Sequence, residues 1–395
     1  MKVLVIGAGV GGMAAALSLL AAGHEVEVFE QGEKLRAAGN GVILWPNGTG
    51  ILADLGVSLD DLGTRMDSLQ IRAKDGKPLF WFQAGKIADK LGAPCMLVPR
   101  GDLVARMAGM LPEGCLRLGK RCTGLKTGGA APVVASFDDG TEAEGDVLLG
   151  ADGHRSIVRR ELMGERPASY TGWATWHGIT PSPEGLVPDH RVQTFVGNRA
   201  LCALHPVGNG LVHWAFETPW SDGEVAPPPV DDRAPEPDVV PSPVVRLKER
   251  FGDWTGPVPE LLATITDDDI SVFPHIIHDV PENWGHGPVS LLGDAVHVVP
   301  PRVAMGVNQA LEDAWVLGRT LTDAGDHEAQ LRGYEKVRQR RVRKVQARAQ
   351  GAERENPVLP IFVLLARNGI PLTWKMKLDI KQGSNFLNDD VHAAR

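Results

Sequence analysis

The chain has 395 residues, enough for two or three domains, and 43% hydrophobic residues, enough for a large core. Its formal charge of -8 argues against nucleic acid as a principal partner. Four cysteines (Cys95, Cys115, Cys122, Cys202) lack C-x-x-C or metal-ligand spacing, and no apolar run is long enough to span a bilayer. Met1-Lys2 also runs straight into a strand-like segment, so a reduced, cytoplasmic protein without leader peptide or membrane span is expected.

The run to Ile6 reads as a short buried parallel strand, apolar and β-branched. Gly7, Gly9 and Gly12 follow, then an Ala/Leu-rich helix from Met13 to Ala22, then a second apolar strand ending at Glu30. Gly7 permits a tight turn, Gly9 lets backbone N–H groups approach a pyrophosphate, and Gly12 lets the helix pack close to the sheet. Glu30, 18 residues after Gly12, can bind ribose hydroxyls. The helix N-terminus supplies partial positive charge for the phosphates. This context predicts dinucleotide binding, without separating NAD from FAD.

Next, Ala38-Gly39-Asn40-Gly41 gives way to an apolar strand ending at Pro46-Asn47, and a helix is expected over 48–55. Residues 68–83 alternate as a hairpin around Asp75-Gly76. Arg100 precedes a helix expected over 102–110, where a cation can meet a phosphate or a polar ring edge. Strands are expected near 115–125 and 132–137. A buried strand, Val147-Leu148-Leu149, ends at Gly150-Ala151-Asp152-Gly153, which places the Asp152 carboxylate where open α/β sheets gather ligands.

From 165 to 280 the pattern turns to strands at 170–180, 192–206 and 210–218, read as an antiparallel sheet in a second domain. Residues 225–243, with seven prolines, read as a surface loop, either a passive connection or a lid, before a helix at 244–251. Val289 to Leu292 returns to the buried-strand pattern and ends in Gly293-Asp294, and a long helix starts near Gly306. A further helix over 327–355 carries eight basic residues between Arg332 and Arg348. It reads either as a solvated helix with one docked stripe (Leu331, Tyr334, Val337 or Arg338, Val342, Val345) or as a patch for an acidic partner. The apolar segment 358–380 is too interrupted to span a bilayer.

Period-2 alternation sets Leu211, His213 and Ala215 on one strand face and Val212, Trp214 and Phe216 on the other. His213 is the titratable group of that strand before Glu217, and is nominated to line a substrate pocket; the competing reading is a histidine satisfied within the packing. Nearby tryptophans read as core more readily than as a cage. His275 and His278, three apart on a strand, face opposite sides, so no metal site is assigned.

Three motifs stand in order: Gly7-Ala8-Gly9-Val10-Gly11-Gly12, Gly150-Ala151-Asp152-Gly153-His154-Arg155-Ser156, and Gly293-Asp294-Ala295-Val296-His297 with Pro300-Pro301. Together they resemble the group A FAD-dependent monooxygenases, the family of p-hydroxybenzoate hydroxylase. Leu44-Trp45-Pro46-Asn47-Gly48 and Tyr170-Thr171-Gly172-Trp173 further resemble the branch containing urate hydroxylase and zeaxanthin epoxidase.

The resemblance implies an α/β fold: a Rossmann-like FAD-binding domain, an inserted, mainly antiparallel β-sheet substrate domain, and C-terminal helices. The expected boundaries are 1–67, 95–165 and 285–395 for FAD binding, and 68–94 and 166–284 for substrate. It places Gly7, Gly9 and Gly12 on the FAD pyrophosphate, Glu30 on the adenosine ribose, and Arg100 and Asp294 on the ribityl and phosphate part. Asp152 is linked to FAD and to the nicotinamide cofactor, and the backbone of Cys122 borders the adenine. The N–H groups of Gly306, Val307 and Asn308 face the flavin pyrimidine edge, where a helix N-terminus stabilises negative charge. NAD(P)H binds transiently, because no second G-x-G-x-x-G exists.

The implied reaction is hydroxylation or epoxidation, with O2, of an apolar, aromatic or isoprenoid small molecule, by a monomer or homodimer. The alternatives are a flavin oxidase, cyclase or halogenase, or an FAD-binding protein whose site has decayed. Two residues depart from the family pattern. Ala304 stands where glycine is usual, at a cost of about 1 kcal/mol if that position needs positive φ. Arg302, beside the proline pair, can bind an anionic group, assist the oxygen chemistry, or point to solvent.

Overall fold

The computed structural model describes residues 1–35, 40–129, 131–166, 168–220, 242–354 and 372–390. Residues 225–241 of the expected loop, the glycine approach at 38–39 and residues 358–371 of the apolar segment lie outside the described residues.

Lys2–Ile6 is the centre of a five-stranded parallel sheet in the order Val289–Leu291, Val147–Gly150, Lys2–Ile6, Glu25–Phe29, Leu116–Arg117. A parallel sheet is covered on both faces, so its strands must be apolar throughout, as Val3 to Val5 and Val147 to Leu149 are. The helices Val10–Ala21 and Gly306–Thr320 pack closely beside it. A Cβ on Gly318 would stand 2.0 Å from Ser18 Oγ, so only glycine allows that approach. The strands Glu142–Gly145, Val133–Phe137 and Cys122–Thr127 form a small antiparallel sheet, and Gly41–Leu44, Met96–Pro99 and Thr64–Arg65 form another.

The fourth sheet has seven strands in the order Ser271–Ile277, Ser169–Pro181, Leu211–Pro219, Ala200–Gly208, Arg191–Gly197, Ser68–Ala73, Pro78–Phe82. It is antiparallel except where Arg191–Gly197 runs parallel to Ser68–Ala73. Val212, Trp214 and Phe216 pack on one face against Leu247, Phe251 and Leu261, carried by the helices Pro243–Phe251 and Pro257–Thr264. Leu211 faces the other way and joins a cluster with Trp45, Val207 and Met305. The period-2 reading of this strand therefore holds.

Several expectations shift. The helix placed at 48–55 is Pro46–Asp54, because Pro46 is its first residue, where a missing N–H costs nothing. The helix placed at 102–110 is Arg100–Ala108, so Arg100 opens it rather than preceding it. The strand near 115–125 is two strands, Leu116–Arg117 and Cys122–Thr127, in different sheets. Pro257–Thr264 was not anticipated as a helix. In His327–Arg354 the stripe Leu331, Tyr334, Val337, Arg338, Val342 and Val345 is buried. Arg332, Arg341 and Arg348 on the same helix meet Glu335, Asp390 and Asp379.

Candidate flavin and substrate site

The first glycine turn is shaped by contacts that exclude side chains. Gly7 has φ +105°, and a Cβ there would stand 2.5 Å from the Ala151 carbonyl oxygen. A Cβ on Gly12 would stand 1.9 Å from the Gly7 carbonyl oxygen. No side chain caps the helix Val10–Ala21, so the N–H groups of its first turn remain available to an anion. The Arg100 guanidinium lies over this turn, with Nη2 3.5 Å from where a Cβ on Gly9 would stand. Bare N–H groups, a helix N-terminus and a cation together suit a pyrophosphate. Glu30 Oε2 accepts from the Ala8 N–H at 2.9 Å and Oε1 from the Gly32 N–H at 3.0 Å, so the carboxylate also stiffens the turn it serves.

The second motif meets the first through the Gly7–Ala151 contact. Asp152 Oδ2 accepts from the N–H groups of Ile157 and Val158 at 2.8 and 3.2 Å, at the start of the helix Ile157–Met163. Its buried Oδ1 has no hydrogen-bond partner among the described residues, and burial pushes the carboxyl upward. An acceptor in that state suits a ligand hydroxyl or N–H. Cys122 is buried, and desolvation pushes its thiol up to about 11. Its Sγ donates to the Gly124 carbonyl at 3.5 Å, so the side chain is engaged within its own strand.

The third motif stands against the same helix: a Cβ on Gly11 would lie 3.0 Å from Leu292 Cδ1. Asp294 follows Gly293 and is exposed. A buried network holds this corner. Asp313 accepts from the Gly293 N–H at 2.8 Å, meets His297 Nε2 at 2.6 Å, and accepts from Arg338 Nε at 2.6 Å. Burial alone would raise the Asp313 carboxyl, but His297 and Arg338 hold it below its ordinary range. Arg338 also donates to Gln309 and Asn385, while Glu312 accepts from Asn47 Nδ2 at 3.0 Å. Asp313, Glu312 and Asn47 were not singled out from sequence. The signal was available, since Arg338 falls in an otherwise apolar stripe and needs buried acids facing it.

Gly306, Val307 and Asn308 open the helix Gly306–Thr320, which has no side-chain cap and no acid in its first turn. Asn308 has a second use for its side chain. Oδ1 accepts from the Trp45 N–H at 2.9 Å, and Nδ2 donates to the carbonyls of Ile43 and Ala304 at 2.9 and 3.1 Å. Ala304 has φ +50° and ψ +37°, so the position does demand the left-handed region. Its carbonyl accepts from both Asn308 and Trp45 Nε1, which offsets the strain of about 1 kcal/mol.

The sheet face turned toward this corner carries three histidines. His213 packs on the strand Gly41–Leu44, where a Cβ on Gly41 would meet its ring at 2.7 Å. His205 lies directly opposite His213 in the register, with the two Nδ1 atoms 3.0 Å apart, and the His177 ring is 6.1 Å from that of His213. Two imidazole Nδ1 atoms at that distance share one proton, so the rings hold opposite tautomers. Desolvation pushes His205 down to about 4, and pushes His213 well below its ordinary value with help from His205 and His177. Both rings are neutral at pH 7.

Arg302 does not point to solvent. Its side chain is 5% exposed, its Nε donates to Glu217 Oε2 at 2.7 Å, and its guanidinium stacks 3.7 Å from the Trp173 ring. His275 meets Thr175 Oγ1 at 2.6 Å, and His278, just past the end of its strand, meets the His154 carbonyl at 3.0 Å.

The FAD binding domain family matches residues 116–349, and a second FAD binding domain family matches residues 2–49. The chain is 32% identical over 349 residues to an FAD-dependent urate hydroxylase of Klebsiella pneumoniae subsp. pneumoniae, covering 87% of each. It is 33% identical over 356 residues to the 3-amino-4-hydroxybenzoate 2-monooxygenase PtmB3 of Streptomyces platensis, covering 88% of this chain and 86% of that protein. Its structure matches Klebsiella pneumoniae HpxO complexed with FAD and uric acid at a TM-score of 0.82 and 28% identity, over 100% of this chain and 96% of that one. Fold and cradle thus define a Rossmann-type flavoprotein with FAD as its cofactor. The chain belongs to the group A FAD-dependent monooxygenases. Among the described residues, no helix is long and apolar enough to cross a membrane.

Proposed function

We propose that this enzyme uses NAD(P)H and O2 to hydroxylate or epoxidise an apolar, ring-bearing small molecule, aromatic or isoprenoid, against the His177–His205–His213 face of the seven-stranded sheet. The observation that carries this reading is the composition of that face. Ala203, Ala215, Leu201 and Val196 make a small apolar floor beside the histidines. Its arginine, Arg302, is already paired with Glu217. Burying a charged substrate there without a partner would cost several kcal/mol, whereas apolar area contributes roughly 25 cal/mol per Å².

When bound, FAD would supply the oxygen activation, with NAD(P)H as the reductant. The protein's residues do the placing. The turn at Gly7, Gly9 and Gly12 and the Arg100 guanidinium take the pyrophosphate, Glu30 the adenosine ribose, and Asp294 the ribityl region. Asp152 offers its free oxygen and Cys122 its backbone to the cofactor. The N–H groups of Gly306, Val307 and Asn308 stabilise negative charge on the pyrimidine edge. His213 orients the substrate by one defined hydrogen bond, because His205 fixes which of its nitrogens carries the proton. The similar urate hydroxylase and 3-amino-4-hydroxybenzoate 2-monooxygenase act, by their names, on ring compounds, which supports a ring-bearing substrate.

The test is NADH or NADPH consumption with a panel of aromatic and isoprenoid compounds under ¹⁸O2. One labelled oxygen atom in the product is expected. Peroxide as the sole oxygen product across the panel, or turnover that requires halide, would overturn the reading.

A further inference from the structure

The Arg302–Glu217 pair joins two parts of the molecule that the sequence keeps far apart. Glu217 lies near the end of the sheet strand Leu211–Pro219. Arg302 lies in the short helical turn Pro301–Val303, which leads through the left-handed Ala304 into the helix Gly306–Thr320. Both side chains are almost fully buried, at 5% and 8% exposure. The guanidinium is held from three sides: Glu217 Oε2 at 2.7 Å, the Trp173 ring at 3.7 Å, and the Ala352 carbonyl of the long helix His327–Arg354, which accepts from Nη1 at 3.0 Å. A planar, forked cation suits such a site, and the compact ammonium of lysine does not.

We propose that Arg302 and Glu217 are positioning residues that lock the turn 300–305, and with it the N-terminus of the helix Gly306–Thr320, at one setting between the substrate sheet and FAD. The inference rests on the reading that this N-terminus faces the flavin. Within that turn Ala304 takes a conformation alanine disfavours, kept by two hydrogen bonds to its carbonyl, while Val303 and Met305 pack into the cluster with Trp45; the ion pair is the turn's link to the strand Leu211–Pro219. Release of the ion pair lets that turn relax. The helix terminus then drifts from the flavin edge and stabilises the anionic reduced flavin less. The pair is thus a device for setting the flavin potential and for keeping the substrate sheet in register with the cofactor.

The experiment is a dye-equilibrated reductive titration of the FAD-loaded protein, with urea unfolding in parallel, on Arg302→Met, Glu217→Gln and the double variant. Each single change leaves one buried charge unpaired and lowers stability; the double change removes both charges and restores it. Potential behaves differently under this proposal. It falls in both single variants and stays low in the double, by about 30 mV for a tenfold weaker hold on the reduced form of a two-electron couple. Potentials equal to wild type in all three variants would overturn the proposal. So would a potential that returns to wild type with stability in the double, since that marks a purely structural pair. Should a single variant fail to retain FAD, Arg302→Lys keeps the charge and loses the fork, and a lowered potential is again expected, with an unchanged one overturning the lock. Absence of oxygenation in the wild type would defeat the proposed function while leaving these potentials readable.

Discussion

Lowering the pH from 7 to 5 is expected to destabilise this protein through its paired histidines. The native pair shares one proton between two Nδ1 atoms 3.0 Å apart, and a second proton would force two N–H groups against each other in a desolvated site. Burial has therefore pushed His205 from 6.5 down to about 4 and His213 in the same direction. The unfolded chain takes up protons near 6.5, the folded one only near 4, so the unfolded state binds more protons throughout that window and stability falls as pH falls. At 1.36 kcal/mol per pH unit, the stretch from 6.5 to about 4 amounts to about 3 kcal/mol for His205 alone, and roughly 2 kcal/mol of it is gone by pH 5. His278, lowered mainly by burial, adds to the same slope and serves as background. The assay is urea unfolding at half-unit pH steps, followed by tryptophan fluorescence, for the wild type and for His205→Gln with His213→Gln. The double variant should lose at least about 2 kcal/mol of the pH 7 to 5 difference, the share of His205, with the share of His213 added to it. An equal slope in both proteins would refute the reasoning, because it would mean that the pair is not held neutral by the fold.

His213→Ala should leave FAD content unchanged, reduce product formation and increase peroxide release; unchanged product yield per NAD(P)H, measured by chromatography, would remove His213 from the site. Gly12→Ala should abolish FAD retention, since its Cβ would stand 1.9 Å from the Gly7 carbonyl oxygen, and the absorbance ratio of bound flavin to protein reads this directly. Asp294→Ala should weaken FAD binding more than His213→Ala does, as titration of the apoprotein will show. Arg338→Met leaves Asp313 and Glu312 buried without their cation and should cost roughly 3–5 kcal/mol in urea unfolding.

What was legible in the sequence was legible for local reasons. A glycine that must adopt φ +105° or admit a backbone at van der Waals distance constrains its own position, so the cradle at Gly7 and Gly12 is written in consecutive residues. Buried parallel strands announce themselves as short apolar runs, and the period of two on Leu211–Pro219 already assigned His213 and Trp214 to opposite faces. Positive φ at Ala304 was a condition the sequence could state without meeting.

What tertiary structure alone decided depends on groups distant in the chain. Nothing local tells that His205 meets His213 nitrogen to nitrogen, since cross-strand register follows from the bulge and turn between the two strands. Arg302, which sequence alone could equally send to solvent, is captured by Glu217, 85 residues away. Arg338 acquires its meaning only when Asp313, Gln309 and Asn385 converge on it from two other elements. The strand Ser68–Ala73 pairs in parallel with Arg191–Gly197, more than a hundred residues later, a pairing that no local pattern in either segment announces. Local sequence specifies backbone conformation and faces, but a buried charge finds its counterion only in the packed molecule, where desolvation makes any unpaired arrangement too costly to persist.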